Sequence, residues 1–186
     1  MIPLETDRLI LRNWQTKDAA AMHRLNSDEA VMKFFPFRRN RIESDLLLET
    51  VKNKIDEKGY SFAAVELKQT GRVVGMAGIS DIASNMPFAP ALEIGWRFLP
   101  EYWGKGYATE SALKWLEFSF TALEKEEVVS FAVADNIAST AVMERLGMHH
   151  FPELDFDHPS VSDEYPQLKR HVLYAISKDQ FNAQNN

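Results

Sequence analysis

Residues 101–111 read EYWGKGYATES. Two glycines flank a lysine directly after an aromatic pair, and a helix-forming run follows. Glycine is costly in regular structure and is used where the backbone turns left-handed or approaches something closely. Two readings stand at this point. In one, the glycines merely permit a strand-to-helix turn. In the other, the turn is an anion site: a helix start leaves its first amide hydrogens without partners, its dipole favours negative charge, and glycines ahead of it let an anion reach the backbone. Two familiar phosphate patterns fail. GKGYATES has the wrong order for a P-loop, and the dinucleotide fingerprint lacks its third glycine and a parallel strand near the chain start.

On the N-terminal side of this stretch, ALEIGWRFL (91–99) reads as a strand ending at Pro100. Before it, YSFAAVEL (60–67), a turn at KQTGR (68–72) and VVGMAGIS (73–80) read as an antiparallel hairpin. Ile42, Leu46, Leu47, Val51 and Ile55 recur at helical spacing, and Gly59 stops that helix as a C-cap residue. LETDRLILRNW (4–14) alternates as one strand with Leu9 and Leu11 on a shared face, and Thr16 is placed to cap a short helix over KDAAAMHRLN (17–26). KFFPFRRN (33–40) is irregular, broken at Pro36. On the C-terminal side, an amphipathic helix runs from about Tyr107 to Leu123, with Leu113, Leu116, Phe120 and Leu123 on one face. VVSFAV (128–133) is a short buried strand. Asn136 caps a helix over 137–146 that ends at Gly147, and HVLYAIS (171–177) is a last strand after a long loop from about Pro152 to Gln167. The order predicts an α/β (α+β) fold with a mixed sheet and helices packed on it.

The whole chain narrows the function classes. Its 186 residues, 45% apolar and 26% charged, suit one globular domain. A net charge of −6 argues against nucleic acid as a general partner while leaving room for a local basic patch. No apolar run is long enough to span a bilayer and no secretory start is evident, so a membrane partner is not expected and a cytoplasmic location is. Zero cysteines exclude a thiolate nucleophile, a disulfide framework and a cysteine metal site, and the five histidines lack ligand spacing, so no metal is expected.

EIGWRFLPEYWGKGYATES (93–111) followed by VADNIASTAVMERLGM (133–148) resembles the two central motifs of the GNAT acyl-CoA-dependent N-acetyltransferases. The opening LETDRLILR, the hairpin GRVVGMAGI and the late FDHPSV and LKRHVLY are similar to the RimJ/RimL-like branch, typified by ribosomal-protein N-terminal acetyltransferases. The resemblance implies one GNAT domain over residues 1–178, with six to seven mostly antiparallel strands and about four helices, and a frayed tail over 179–186. It implies acetyl-CoA as co-substrate, its pyrophosphate on the backbone amides of Gly104, Lys105, Gly106, Tyr107, Ala108 and Thr109, and its pantetheine arm beside Trp96, Arg97 and Phe98. Trp103 stands where the superfamily pattern has Gln or Arg.

In the family the asparagine matching Asn136 also bonds the cofactor arm, and a tyrosine seven places later often protonates the departing thiolate. Here that place is Met143, which has no proton to give. The resemblance shifts the role to Ser139, and it makes Glu93 the leading general base, acting through a water. It also implies a free backbone amide near Leu99 that polarises the thioester carbonyl. Trp14, Phe34, Phe35 and Phe37 either pack as core or wall an acceptor pocket, and His158, beside Asp157 in the late loop, either fixes the loop or faces the acceptor; Trp14, Phe35 and His158 are the acceptor-side candidates. The expected reaction is transfer of acetyl to a primary amine by direct attack. The acceptor is either a small molecule or a peptide, a ribosomal or other protein N-terminus included, and the protein is a monomer or homodimer. A non-catalytic acyl-CoA-binding module of the same fold is the competing class, kept open by Met143.

Overall fold

The computed structural model describes residues 3–82 and 85–185, which form nine strands and five α-helices. They fall into two compact units, Met1–Ile79 with Gly95–Lys114, and Ser80–Ile94 with Trp115–Asn186.

In the first unit β1 (Leu4–Glu5) and β2 (Leu9–Arg12) form an antiparallel pair with Leu4 opposite Leu11. The single strand expected over 4–14 is interrupted because Thr6 closes a turn: its N–H donates to the Leu9 carbonyl, and its hydroxyl accepts from the Leu9 N–H, both at 3.0 Å. Leu9 and Leu11 are fully buried, as alternation requires. A 3-10 turn over Thr16–Asp18 precedes α1 (Ala19–Ser27), so the cap is not Thr16. The Asp18 carboxylate accepts from the Gln15 N–H at 2.8 Å and pairs with Arg12, which fixes the turn before the helix proper.

α2 (Arg41–Lys58) carries a full capping box at Asn40 and Glu43, and ends at Gly59 with φ +81°. Its buried face is Ser44, Leu48, Val51 and Ile55, whereas Ile42 and Leu46 stand exposed. Val51 and Ile55 are buried as the apolar spacing predicts and Leu47 is half-buried, whereas Ser44 and Leu48 take the places expected of Ile42 and Leu46. β3 (Phe62–Leu67) and β4 (Val73–Asp81) are the expected hairpin, turned at Gly71. Gly78 faces the β3 backbone so closely that an added Cβ would strike the Ser61 carbonyl and the Phe62 Cα. Strand order in this unit is β1-β2-β3-β4-β5, where β5 is Leu92–Phe98.

In the second unit β6 (Glu127–Val133) pairs antiparallel with β9 (Arg170–Ser177) from Glu127↔Ser177 to Val133↔His171. β5 and β6 are parallel and share one bridge, Glu93↔Val129. The loop expected from about Pro152 to Gln167 contains β8 (Phe156–Asp157), which pairs with β9, as does β7 (His149–His150) just before it. α3 (Tyr107–Thr121) begins in the first unit, and its buried face in the second includes Trp115, Leu116 and Phe120. α4 is Ile137–Arg145. The segment expected to fray forms α5 (Lys178–Asn185), because Phe181 stacks 5.2 Å from Phe120 and Gln180 accepts from the Ser177 N–H. The three two-residue strands and α5 account for the larger element count than expected.

Candidate active site

Gly104 and Gly106 have φ of +72° and +80°, where a side chain is strained. A Cβ on Gly104 would meet nothing within 4 Å, and one on Gly106 only the Arg8 guanidinium at 3.4 Å. The glycines therefore do not serve close packing; they turn the chain left-handed twice and leave its backbone bare. The first helical bond of α3 runs from the Glu110 N–H to the Gly106 carbonyl at 3.0 Å. The amides of Tyr107, Ala108 and Thr109 thus have no partner within the helix, and with the loop they make a row of donors at the positive end of a 15-residue helix. Such a row fits a diphosphate. Lys105 is exposed and lies over the Tyr102 ring at 5.2 Å.

Two side chains hold this loop, and sequence reasoning assigned neither. Arg8 stacks on the Tyr107 ring at 4.6 Å and pairs with Glu110 at 2.6 Å, while Thr6 donates to the same carboxylate. Trp103 donates its indole N–H to the Phe98 carbonyl at 2.7 Å. The only earlier signal for Arg8 was its place in the opening LETDRLILR.

The register of β5 against β4 decides which of its backbone groups are free. Leu99 N–H donates to the Val74 carbonyl and Ile82 N–H to the Ala91 carbonyl, both at 3.0 Å. The two bonds belong to one antiparallel register, in which alternate residues of β5 face β4. Leu99 and Arg97 are on that side, so the Leu99 amide is bonded and the free amide expected near Leu99 falls to Phe98. Trp96 and Phe98 direct their backbone groups to the opposite edge, where a pantetheine arm and a thioester carbonyl can use them. Arg97 departs from its expected role as well. Its guanidinium turns inward and donates to Asn26 Oδ1 at 3.0 Å.

In the second unit Glu93 is half-buried, and no ion pair joins it to any described residue. Burial pushes its carboxyl up to about 7. A carboxylate poised there is suited to take a proton at neutral pH. Ser130 donates its hydroxyl to the Ile94 carbonyl at 2.9 Å, beside the single β5–β6 bridge. Asn136 is the N-cap of α4, its side chain accepting from the Ser139 N–H at 3.3 Å. Ser139 is half-buried in the first turn, where the helix dipole favours a thiolate. Met143 is buried and packs as core.

The acceptor-side candidates separate. Trp14 is core: it is buried and its indole N–H donates to the Phe62 carbonyl at 2.8 Å. Phe35 is on the surface of the first unit. His158 lies in the second, in an aromatic cluster with Phe131, Phe156 and His171, whose ring is 4.9 Å from its own. Burial lowers both histidines below the ordinary value. His158 Nδ1 accepts from the Ser160 N–H, whereas His171 Nδ1 faces the Lys169 carbonyl and must donate. Neutral His158 therefore carries its proton on Nε2, and His171 Nε2 is an open acceptor.

A family model described as acetyltransferase (GNAT) domain matches residues 8–149. The chain belongs to the GNAT acetyltransferase family. It is 31% identical over 145 residues to YnaD of Bacillus subtilis, an uncharacterised N-acetyltransferase, covering 78% of this chain and 81% of that one. It is also 31% identical over 150 residues to the uncharacterised YkkB of the same organism, covering 79% and 85%. A GNAT-family acetyltransferase from Bacillus anthracis superposes with a TM-score of 0.80 at 25% identity, over 96% of this chain and 99% of that one. The ribosomal-protein-S5-alanine acetyltransferase of Vibrio fischeri shares the fold, with a TM-score of 0.75 at 16% identity over 97% and 99%. GNAT acetyltransferases use acetyl-CoA as co-substrate, and the bare amides of residues 104–109 fit its diphosphate. Among the described residues no group of three His, Cys, Asp or Glu side chains is placed to hold a metal ion.

Proposed function

We propose that this GNAT acetyltransferase moves the acetyl group of acetyl-CoA to a primary amine by direct attack within one ternary complex. The observation that carries the reading is the row of amide donors at residues 104–109, left-handed at Gly104 and Gly106 and without partners in the first turn of α3. Acetyl-CoA supplies an acyl thioester. Gly104 to Thr109 hold its diphosphate, Trp96 aligns the arm through its backbone, and the Phe98 amide, beside Leu99, is the donor to the thioester oxygen. Asn136 bonds the arm in addition to capping α4. Glu93 takes a proton from the amine through one water, since an ammonium has no lone pair to attack with. The nitrogen–carbon bond forms, the carbon–sulfur bond breaks, and Ser139 at the start of α4 gives its hydroxyl proton to the departing sulfur and is reprotonated by the proton that the acetylated nitrogen sheds. A chain without cysteine has no thiol to carry an acetyl-enzyme.

The same proposal takes residues 1–178 as one catalytic domain of the RimJ/RimL-like branch, acting in the cytoplasm. Its acceptor is a small amine or a peptide N-terminus. A second reading, an acyl-CoA-binding module without turnover, is favoured by Met143, buried where a proton donor is usual. Release of free CoA thiol over a panel of N-terminal peptides, amino acids, polyamines and amino sugars separates the two. Acetyl-CoA is expected to raise the melting temperature in either case, by mass action on the folded state. Absence of both a thermal shift and calorimetric heat at millimolar acetyl-CoA refutes both readings together.

A further inference from the structure

The first unit contains two deeply placed arginines with opposite surroundings. Arg12 is paired twice, with Asp18 and Glu66, each at 2.7 Å. This is how a fold stabilises a cation it has taken out of water. Arg97 has no carboxylate partner among the described residues. Its Nη1 donates to Asn26 Oδ1 at 3.0 Å and touches the Met32 sulfur at 3.1 Å; its Nη2 touches the Met76 sulfur at 3.0 Å. A guanidinium has five N–H donors, and thioethers are weak acceptors. Asn26 is itself fully buried, and its Nδ2 has no partner among the described residues. Burial and the charge of a second cation, Arg39, both act against the charged form of Arg97, and Arg39 likewise has no carboxylate partner among the described residues.

The surrounding wall is equally specific. Phe35 and Phe37, 37% and 43% exposed, stand with ring centroids 6.1 Å apart. Arg97 lies 5.3 Å from the Phe35 ring and Arg39 lies 4.7 Å from the Phe37 ring. Arg38 pins this loop by donating to the carbonyls of Met32, Phe35 and Phe37. From Ala30 to Ile42 the chain carries Lys33, Arg38, Arg39 and Arg41 and no acidic residue, in a protein of net charge −6. Arg41 is engaged with Asp45, and Lys33 lies over Phe34. Arg38 is spent on backbone carbonyls, whereas Arg39 and Arg97 both lack an acid among the described residues and both flank exposed phenylalanines, Arg97 from its place on β5 between Trp96 and Phe98.

We propose that Arg97 and Arg39, beside Phe35 and Phe37, recognise an oxyanion carried by the acetyl acceptor, which is therefore an amine bearing a carboxylate or phosphate on an apolar body. This rests on the acetyl-transfer reading. The guanidinium of Arg97 has N–H groups to spare for an oxygen ligand, and the rings receive the apolar part of the same molecule. A polyamine meets two uncompensated positive charges there and is excluded.

The test is calorimetric binding of 6-aminohexanoate and of hexylamine to the CoA-loaded protein, with 6-aminohexyl phosphate and spermidine as further arms. The wild type is expected to bind the carboxylate at least about tenfold more tightly than hexylamine, the size of one charge-assisted hydrogen bond. Arg97→Met is expected to bring that ratio to within twofold, and Arg39→Gln to reduce it about threefold, which keeps the test intact if the first variant does not fold. The phosphate arm tells which oxyanion is preferred. A wild-type ratio within twofold, undetectable binding of both anionic amines, or a ratio that survives Arg97→Met overturns the proposal. Thiol release is scored separately. Anion-selective binding without turnover refutes the reaction and leaves this site standing, whereas equal turnover of hexylamine, spermidine and 6-aminohexanoate refutes the site and leaves the reaction.

Discussion

Replacement of Glu93 by glutamine removes one proton acceptor while keeping the shape of a half-buried side chain. The carboxyl has no ion-pair partner, and burial raises it from 4.5 to about 7. At pH 7 roughly half of the wild type is therefore charged. If Glu93 is the base, kcat/KM rises with pH along a limb centred near 7 and levels above it, for an acceptor that binds as its ammonium and titrates well above that limb. Glu93→Gln lowers the plateau by about 10²–10⁴-fold and abolishes that limb. A second readout does not depend on turnover. Because the folded value lies above the unfolded one, the contribution of Glu93 to stability is fully present below about pH 4.5 and is lost as pH rises through about 7. The full difference corresponds to roughly 3 kcal/mol, which partial exposure discounts to about 1–2 kcal/mol. Glutamine mimics the protonated acid at every pH. The variant should therefore match the wild type in denaturant unfolding near pH 4.5 and exceed it by about 1–2 kcal/mol at pH 8. Equal stability differences at the two pH values, together with a loss in kcat/KM below tenfold, would refute both the burial argument and the catalytic role.

Gly106→Val should weaken acetyl-CoA binding far more than Lys105→Ala, since a β-branched residue at φ +80° carries about 1–3 kcal/mol of strain or flattens the loop. Equal losses of affinity in two folded variants would show that side chains hold the diphosphate. Ser139→Ala should lower kcat with acetyl-CoA affinity and stability nearly unchanged, because the capping acceptor is the Asn136 side chain and the donor is the Ser139 backbone. A kcat within twofold of wild type at saturating substrates removes Ser139 from the mechanism and leaves the helix dipole and solvent to serve the thiolate.

What the sequence disclosed were features decided within a few residues. The left-handed glycines, the cap at Asn136, the stop at Gly59 and the hairpin turn at Gly71 each depend on local backbone geometry. The features that escaped depend on a distant partner. Whether the Leu99 amide is free is decided by Val74, twenty-five places away, and a one-residue change of register would have reversed the answer. Between core and acceptor wall, Trp14 is decided for core by the Phe62 carbonyl on its indole nitrogen, a distant partner. Arg97 was read from its position in the motif, as a backbone contact for the cofactor. Its side chain matters more, and the partners that reveal this, Asn26, Met32 and Met76, come from three separate elements. The buried face of α2 likewise followed its neighbours and not its apolar count, since Ser44 is enclosed while Ile42 is exposed.

The glycine loop poses a last physical question: how a segment with so little packing keeps its donors aligned. Nothing lies within 4 Å of where a Gly104 Cβ would be, so the loop is not held from within. It is held at its two ends. On the strand side, the Trp103 indole donates to Phe98, tying the entry of the loop to the end of β5. On the helix side, Glu110 accepts from Thr6, from the Arg8 backbone and from the Arg8 guanidinium, while that guanidinium covers Tyr107. Glu110 in the first turn of α3 also complements the helix dipole, and its partners keep its carboxyl below the ordinary range. Both anchors use side chains, which leaves the amides between them uncommitted. Amides that bonded one another would make a stiffer loop and a poorer anion site. The long-range anchors from the Thr6–Arg8 turn and from Trp103 hold the ends of the loop while leaving its donors open, so the turn supports the proposed anion site although it lies some hundred residues from it in the chain.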